Sequence, residues 1–416
     1  NSIFSHFSSV MSTHKLLVVR KMKKTKITWL FPILLVVYEI SVYLSNDMYL
    51  PALPNMMRDL QISSTQAQLT ITMWFIGAAC TPLVMGALAD HFGRRPTLLT
   101  GGIIYVFATI ACAVAVNEST ILIPRLLQGA MISSMMVSGY ACIHESYEHK
   151  EAIRLLAIMG GVSVLAPALG PLLGAIVLAF ASWRFIFWII GLLSTIMLIS
   201  LYYNMPETLF PERRQALHLS TIMKNYWLVI TNKKFLILMG VLGFTFAGFI
   251  SWVAAGPLLV IESLEYNAVA FGWMQAGVFG AYIFGSHLVN FLLKTHDAHR
   301  LVALGLSVCL ISGISLLLIS LLLPNQFYLF LCTIILYSFG SALCFSPLNR
   351  LIIESSDQPM GIRVAMFTAA LMLCGVLGSG MASIVYNGTL FSLAVIIAVG
   401  IVMACLLQYI QMYVAN

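Results

Sequence analysis

Twelve apolar runs leave this chain little choice of environment: approximately 29–51, 68–89, 96–116, 121–144, 153–178, 183–203, 234–261, 268–293, 300–323, 326–349, 362–386 and 389–413. A helix of about 20 residues rises through the roughly 30 Å hydrocarbon core of a bilayer. No water is available there, so the backbone must bond to itself and each run is expected as a helix. Only 9% of the residues are charged, against about 25% in a soluble chain, which leaves no room for a large soluble domain. The expected fold class is an all-α membrane protein with twelve transmembrane helices in two six-helix bundles.

Charge placement orients the spans. Lys15, Arg20, Lys21, Lys23, Lys24 and Lys26 precede the first run, and of the 22 Lys and Arg residues only Arg58, Arg125 and Arg184 fall outside that segment and alternate loops. By the positive-inside rule both termini of this multi-pass protein are cytoplasmic, and the membrane expected for it is the cell inner membrane. The same asymmetry accounts for the net charge of +7 without nucleic acid. The expected organisation is a basic cytoplasmic segment 1–28, a six-helix bundle 29–203, a cytoplasmic central loop 204–233 and a second bundle 234–416. The first run is too long and too polar for a cleavable signal. Asn1 is not an initiator, and Met11 or Met22 is the expected start.

Within the first run, WLFPILLVVYEISVYLSNDMYLPALP, stand two carboxylates, Glu39 and Asp47. An acid near the middle of a span costs roughly 2.5–3.5 kcal/mol on insertion scales, and such residues usually serve a function. On a helix the step between them is about 12 Å of rise and about 80° of rotation, with Tyr43 and Asn46 on nearly the same stripe. One polar face therefore looks inward. The plainer alternatives are that Glu39 is an acid satisfied by a neighbouring helix and that Asp47 caps the outer end of the span near Pro51. Arg125, four residues into the fourth span, stays charged at any accessible pH and calls for an anion nearby. Either it snorkels to the outer interface, or it faces a cavity as a fixed charge beside Glu39 or Asp47.

The remaining chemistry is sparse. There is no Gly-Lys phosphate loop, no H-E-x-x-H and no G-x-S-x-G, so neither ATP-driven work nor an enzyme is indicated, and no cofactor. The eight cysteines lack C-x-x-C spacing, lie in apolar runs and read as small core residues, not as a disulfide framework or metal site. His287 is either a proton relay or a hydrogen-bonded core residue. Glu145, Glu148 and Glu151 read as a solvated mixed surface with Lys150 and Arg154. Trp183 and Arg184 read as an interfacial anchor. Met48, Met56, Met57 and Met73 are either an adaptable binding wall or helix packing.

The turn between the second and third spans, G-A-L-A-D-H-F-G-R-R-P from Gly86 to Pro96, resembles the signature loop of the major facilitator superfamily, with Gly86, Asp90, Gly93, Arg94 and Arg95 in the pattern's places. A-P-A-L-G-P-L-L-G-A in the fifth span, with Gly170, Pro171 and Gly174, resembles the antiporter motif of drug/proton exchangers, although Ala175 replaces the usual last glycine. R-L-L-Q-G from Arg125, and Pro206-Glu207-Thr208, resemble further pieces of the same pattern. YEISVYLSNDMYLP and HESYE, at 144–148, are similar to the MdfA-type multidrug/proton antiporters over nearly all of the chain.

The resemblance implies that Glu39 and Asp47 bind protons and substrate, that Arg125 tunes them, that Tyr43 and Asn46 line the cavity, and that the signature loop gates the cytoplasmic side. It implies a monomer exchanging protons for small lipophilic molecules, cationic and neutral, in antibiotic-resistance efflux. The alternative is a dedicated exporter of one metabolite, such as a siderophore. The second half offers no matched substrate contacts.

Overall fold

The computed structural model describes residues 29–214 and 219–414. The basic segment 1–28 lies outside the described residues. Among the described residues eleven helical stretches are long and apolar enough to cross a membrane, and a bent pair makes a twelfth span. The first span is broken: α1 (Leu30–Asp47), a 3-10 turn at Leu50–Ala52, then α2 (Leu53–Leu60). Pro51 and Pro54 have no N–H to give to a continuous ladder, yet each fits the first turn of a new helical piece. The span therefore runs to Leu60, beyond the expected limit near 51, and Asp47 lies at an internal break.

The second span is likewise bent, by 48°, between α3 (Ser64–Cys80) and α4 (Pro82–Phe92). Spans three to six are α5 (Arg94–Ala113), α6 (Glu118–Ser146), α7 (His149–Leu178) and α8 (Arg184–Asn204). Where a loop was expected at 204–233, residues Leu219–Ile230 form α9, and its Tyr226 hydroxyl donates to the Leu83 carbonyl, 2.8 Å away. Spans seven to twelve are α10 (Lys233–Pro257, ending in a π turn at Leu258–Ser263), α11 (Ala268–Leu292), α12 (Ala298–Leu322), α13 (Phe327–Ile353), α14 (Met360–Val385) and α15 (Leu390–Val414). Polar side chains start several of them: Ser63 and Asn117 form capping boxes, while Asn232 and Asn267 accept amides of the first turn.

The packing is two-fold in pattern, although the sequence shows only faint symmetry. In the first half α1 lies on α7 and α8, α3 on α6, and α5 on α6 and α8; in the second α10 lies on α14 and α15, α11 on α13, and α12 on α13 and α15. These are two six-helix bundles. They meet along two equivalent seams, α3 with α14 and α7 with α11. Small residues let the backbones close there: a Cβ on Gly375 would meet the Phe75 ring, and one on Gly272 the Leu172 backbone. At the end of the molecule away from the signature loop, Arg58 of α2 pairs with Glu262 of the second bundle at 3.2 Å.

Candidate functional site

Arg125 is fully buried, so it does not snorkel. Its Nη1 donates to the Ser45 carbonyl and to Gln128 Oε1, each at 2.8 Å, its Nη2 to Asn46 Oδ1 at 2.9 Å, and its Nε to the Thr70 carbonyl at 3.3 Å. The guanidinium also lies over the Tyr49 ring, 4.4 Å from its centroid. Two of these acceptors, the Ser45 carbonyl and the Asn46 side-chain oxygen, stand in the last turn of α1 just before the break in the first span. The anion expected beside Arg125 is not in direct contact, for no ion pair joins it to a carboxylate among the described residues. The link is indirect: the amide of Asn46, which accepts from Arg125 through its oxygen, donates through Nδ2 to Asp47 Oδ1 at 3.2 Å.

Asp47 is buried and pressed against the fifth span. A Cβ on Gly170 would lie 2.9 Å from Asp47 Cβ, and one on Gly174 would run into the Met48 carbonyl oxygen, so the motif's glycines bring α7 onto the break itself. Pro171 sits inside α7 between them. The motif thus forms one wall of the carboxylate site.

Glu39 is fully buried, and only one of its oxygens is engaged: Tyr140 of α6 donates to Oε1 at 2.7 Å while Oε2 has no protein partner. Tyr43, half-buried between the two acids, points its hydroxyl at Met136 Sδ, 3.8 Å away. The three charged residues therefore do not form one cluster. They form an outer centre of Arg125, Asn46 and Asp47 and an inner centre of Glu39 and Tyr140, joined by the α1 stripe. Tyr140 was not anticipated, and Gln128 and Tyr49, present in the quoted motifs, were not expected as partners of Arg125.

In the second half Trp252 donates to Gln275 Oε1 at 2.9 Å, leaving Gln275 Nε2 buried and unbonded. Phe249 stacks on Tyr282 and meets Phe279 edge to face, with centroids 5.9 and 5.1 Å away. His287 is exposed on α11, which takes it out of any buried relay.

At the other end of α4, Asp90 pairs with Arg94 at 2.6 Å, and Arg94 also reaches Glu145 at 3.3 Å. Gly93 takes φ +109°, a backbone conformation that a side chain resists, and opens the start of α5. Glu207 fills that opening: its two oxygens accept the amides of Arg94 and Arg95 at 3.1 and 3.2 Å, a carboxylate on a helix N-terminus. Thr208 donates to Glu145. Glu145 is exposed, as expected of a surface acid, and in addition takes part in the loop's anchorage through Arg94 and Thr208. A Cβ on Gly86 would meet nothing within 4 Å.

Trp183 is buried, bonded to Asp59 Oδ2 at 3.0 Å and covered by Arg184, so its ring packs inside the protein at the start of α8. Met48 and Met56 are core residues, while Met57 and Met73 are half-buried. Among the cysteines, Cys80 and Cys332 are exposed on the helix surfaces; Cys112, Cys142, Cys309 and Cys344 are buried as expected.

Two pseudo-symmetric six-helix bundles around a buried arginine and two buried acids define a membrane transporter of the alternating-access kind. The profile of the Major Facilitator Superfamily matches residues 35–359, and the chain belongs to that family. It is 30% identical over 349 residues to Multidrug resistance protein MdtM of Escherichia coli (strain K12), covering 83% of this chain and 84% of the relative. It is 30% identical over 348 residues to Chloramphenicol resistance protein CraA of Acinetobacter baumannii, covering 83% of each. It is also 30% identical over 333 residues to Multidrug transporter MdfA of Edwardsiella piscicida, covering 80% and 81%. Among solved structures, a D-xylose-proton symporter superposes with a TM-score of 0.68 at 13% identity, over 91% of this chain and 97% of that one. That likeness shows the shared fold.

Proposed function

We propose that this chain is a proton-coupled antiporter that exports lipophilic compounds, cationic and neutral, across a cell's inner membrane by alternating access. The observation that carries this reading is the buried Arg125, bridged by Asn46 to Asp47 at the break of the first span. The relatives named for multidrug and chloramphenicol resistance support it. Asp47 and Glu39 each hold a proton or face a substrate. A lipophilic cation entering between the bundles favours the ionised carboxyls, and their protons leave to water in the cavity; a neutral substrate does the same by drawing Arg125 towards Asp47. Tyr43 and Asn46 line the route between the two centres.

The signature loop (Gly86, Asp90, Gly93, Arg94, Arg95) steadies the first bundle while the halves rock, and the Gly170, Pro171 and Gly174 wall seals the carboxylates from leak. The loop face and both termini are cytoplasmic, with 1–28 and 204–233 on that side of the bundles 29–203 and 234–416. The protein acts as a monomer, without cofactor and without converting its substrate chemically.

Few fixed polar groups line the site, and specificity needs such groups to penalise the wrong ligand, so the substrate range is broad. Efflux from cells overproducing the protein decides it. Ethidium-like cations and chloramphenicol-like neutral compounds should both be exported, the cations with the stronger dependence on Asp47 and Glu39. Export of a single metabolite with no drug moved would overturn the proposal.

A further inference from the structure

Away from the transport site, α10 and α14 leave a cavity of about 280 Å³ on their flank, with Ile230 of α9 at one end. Its walls are apolar throughout, among them Leu236, Gly240 and Gly243 of α10 and Ala370, Leu373 and Leu377 of α14. The cavity looks outward from the protein. Gly375 and Ser379 of α14 meet Phe75 and Thr72 of the first bundle, and on a helix those positions lie about 160° from Leu373 and Leu377. Leu236, Leu373 and Leu377 are correspondingly exposed. This is a groove in the lipid-facing wall. It is just under the ~300–1,000 Å³ of drug-sized sites, which suits one hydrocarbon chain better than a whole drug.

Charge says what the rest of the occupant is. Both walls begin at the same face of the membrane, and each begins with a basic residue on the groove stripe: Lys233 stands three residues before Leu236, and Arg363 three before Met366, another lining residue. Lys233 and its neighbour Lys234 are exposed, and neither they nor Arg363 form an ion pair among the described residues. Arg363 spends Nη1 on the carbonyls of Ile353 and Ser356, each 2.9 Å away, and its Nε is buried with no partner. Of the nearby acids, Glu354 is held by Arg350 and Asp357 stands exposed in the loop before α14. Two helix starts with net positive charge above an apolar slot match an anionic headgroup joined to an acyl chain.

We infer that this groove binds one anionic phospholipid, its chain lying between α10 and α14 against Gly240 and Leu373 and its phosphate between Lys233 and Arg363. The site belongs to the second bundle and does not depend on the export reading. The lipid stands where α10 and α14 start, beside a seam on which the bundles move.

Titrating the purified full chain with phosphatidylglycerol and with phosphatidylcholine of the same chains, and counting retained lipids by native mass spectrometry, tests it. A basic residue near the headgroup contributes about fivefold in affinity, so one phosphatidylglycerol should be held roughly 5–25 times more tightly than phosphatidylcholine. Lys233→Gln should lower that preference about fivefold, and Lys294→Gln, on another loop, should leave it unchanged. Ala370→Phe, which fills the slot, should weaken both lipids together; should that variant not fold, the exposed Lys233→Gln still decides. Equal retention of the two lipids by the parent, an unchanged preference in Lys233→Gln, or stoichiometric displacement of the bound lipid by ethidium or chloramphenicol would each overturn the assignment, the last by making the groove a substrate portal.

Discussion

A guanidinium has five N–H donors and no acceptor, and in a dry interior every one left idle is a penalty. Arg125 meets this with two backbone carbonyls, two side-chain amides and a tyrosine ring. Lysine cannot reproduce that fork. Arg125→Lys should therefore lose at least one charge-assisted bond, about 1.5–3 kcal/mol, and efflux should fall by roughly tenfold or more in a transport assay with the protein still in the membrane. Tyr140→Phe removes the one donor on Glu39. Cation efflux should drop by about tenfold while neutral substrates lose less, as read from ethidium against chloramphenicol export; equal export by variant and parent would show that Glu39 works without that hydroxyl. The acids and Arg125 were legible in the sequence because a charge in an apolar run is anomalous. Their partners from other helices were not: Tyr140 looks ordinary until α1 and α6 are placed side by side.

The helices were legible for the same reason as the charges, since a run of apolar residues in a bilayer has one low-energy backbone. Their breaks were half legible. Pro51, Pro54 and Pro82 announce interruptions, but beyond Pro54 the residues Asn55, Arg58 and Asp59 lower the hydropathy, so the chain reads as leaving the membrane when it continues as α2. The amphipathic α9 was missed because twelve residues between two apolar runs resemble a loop. Helix contacts give the sharpest test of the fifth-span motif. Gly174→Ala forces a methyl into the Met48 carbonyl, and overpacking of that kind costs about 1–3 kcal/mol. Transport should be severely reduced, whereas Gly160→Ala and Gly161→Ala on the same helix, where a Cβ meets nothing within 4 Å, should transport like the parent. Efflux measured alongside membrane yield separates a blocked site from a lost fold.

At the scale of the whole molecule, the first bundle is braced internally. The signature loop's ion pairs lie within it and Glu207, at the start of the central loop, ties onto the same helix start, so none of these contacts reaches the second bundle. The Arg58–Glu262 pair instead crosses between bundles at the opposite end and must separate when that end opens. Exposed pairs are worth about 0.2–1 kcal/mol, so Arg58→Glu should shift the population towards the state open at that end by roughly 1.4–5-fold, and Arg58→Glu with Glu262→Arg should restore it. Spin-label distances across the two bundles read the shift. The way Arg125 is held carries a further consequence, for the electrical side of the cycle. A guanidinium is a fixed positive charge, so the charge of the outer centre changes only with the proton on Asp47. One proton exchanged for one monovalent cation then carries equal charge in both directions, and that exchange is blind to the membrane voltage. A neutral substrate exchanged for the same proton carries one charge inward, and each 100 mV adds about 2.3 kcal/mol to its expulsion.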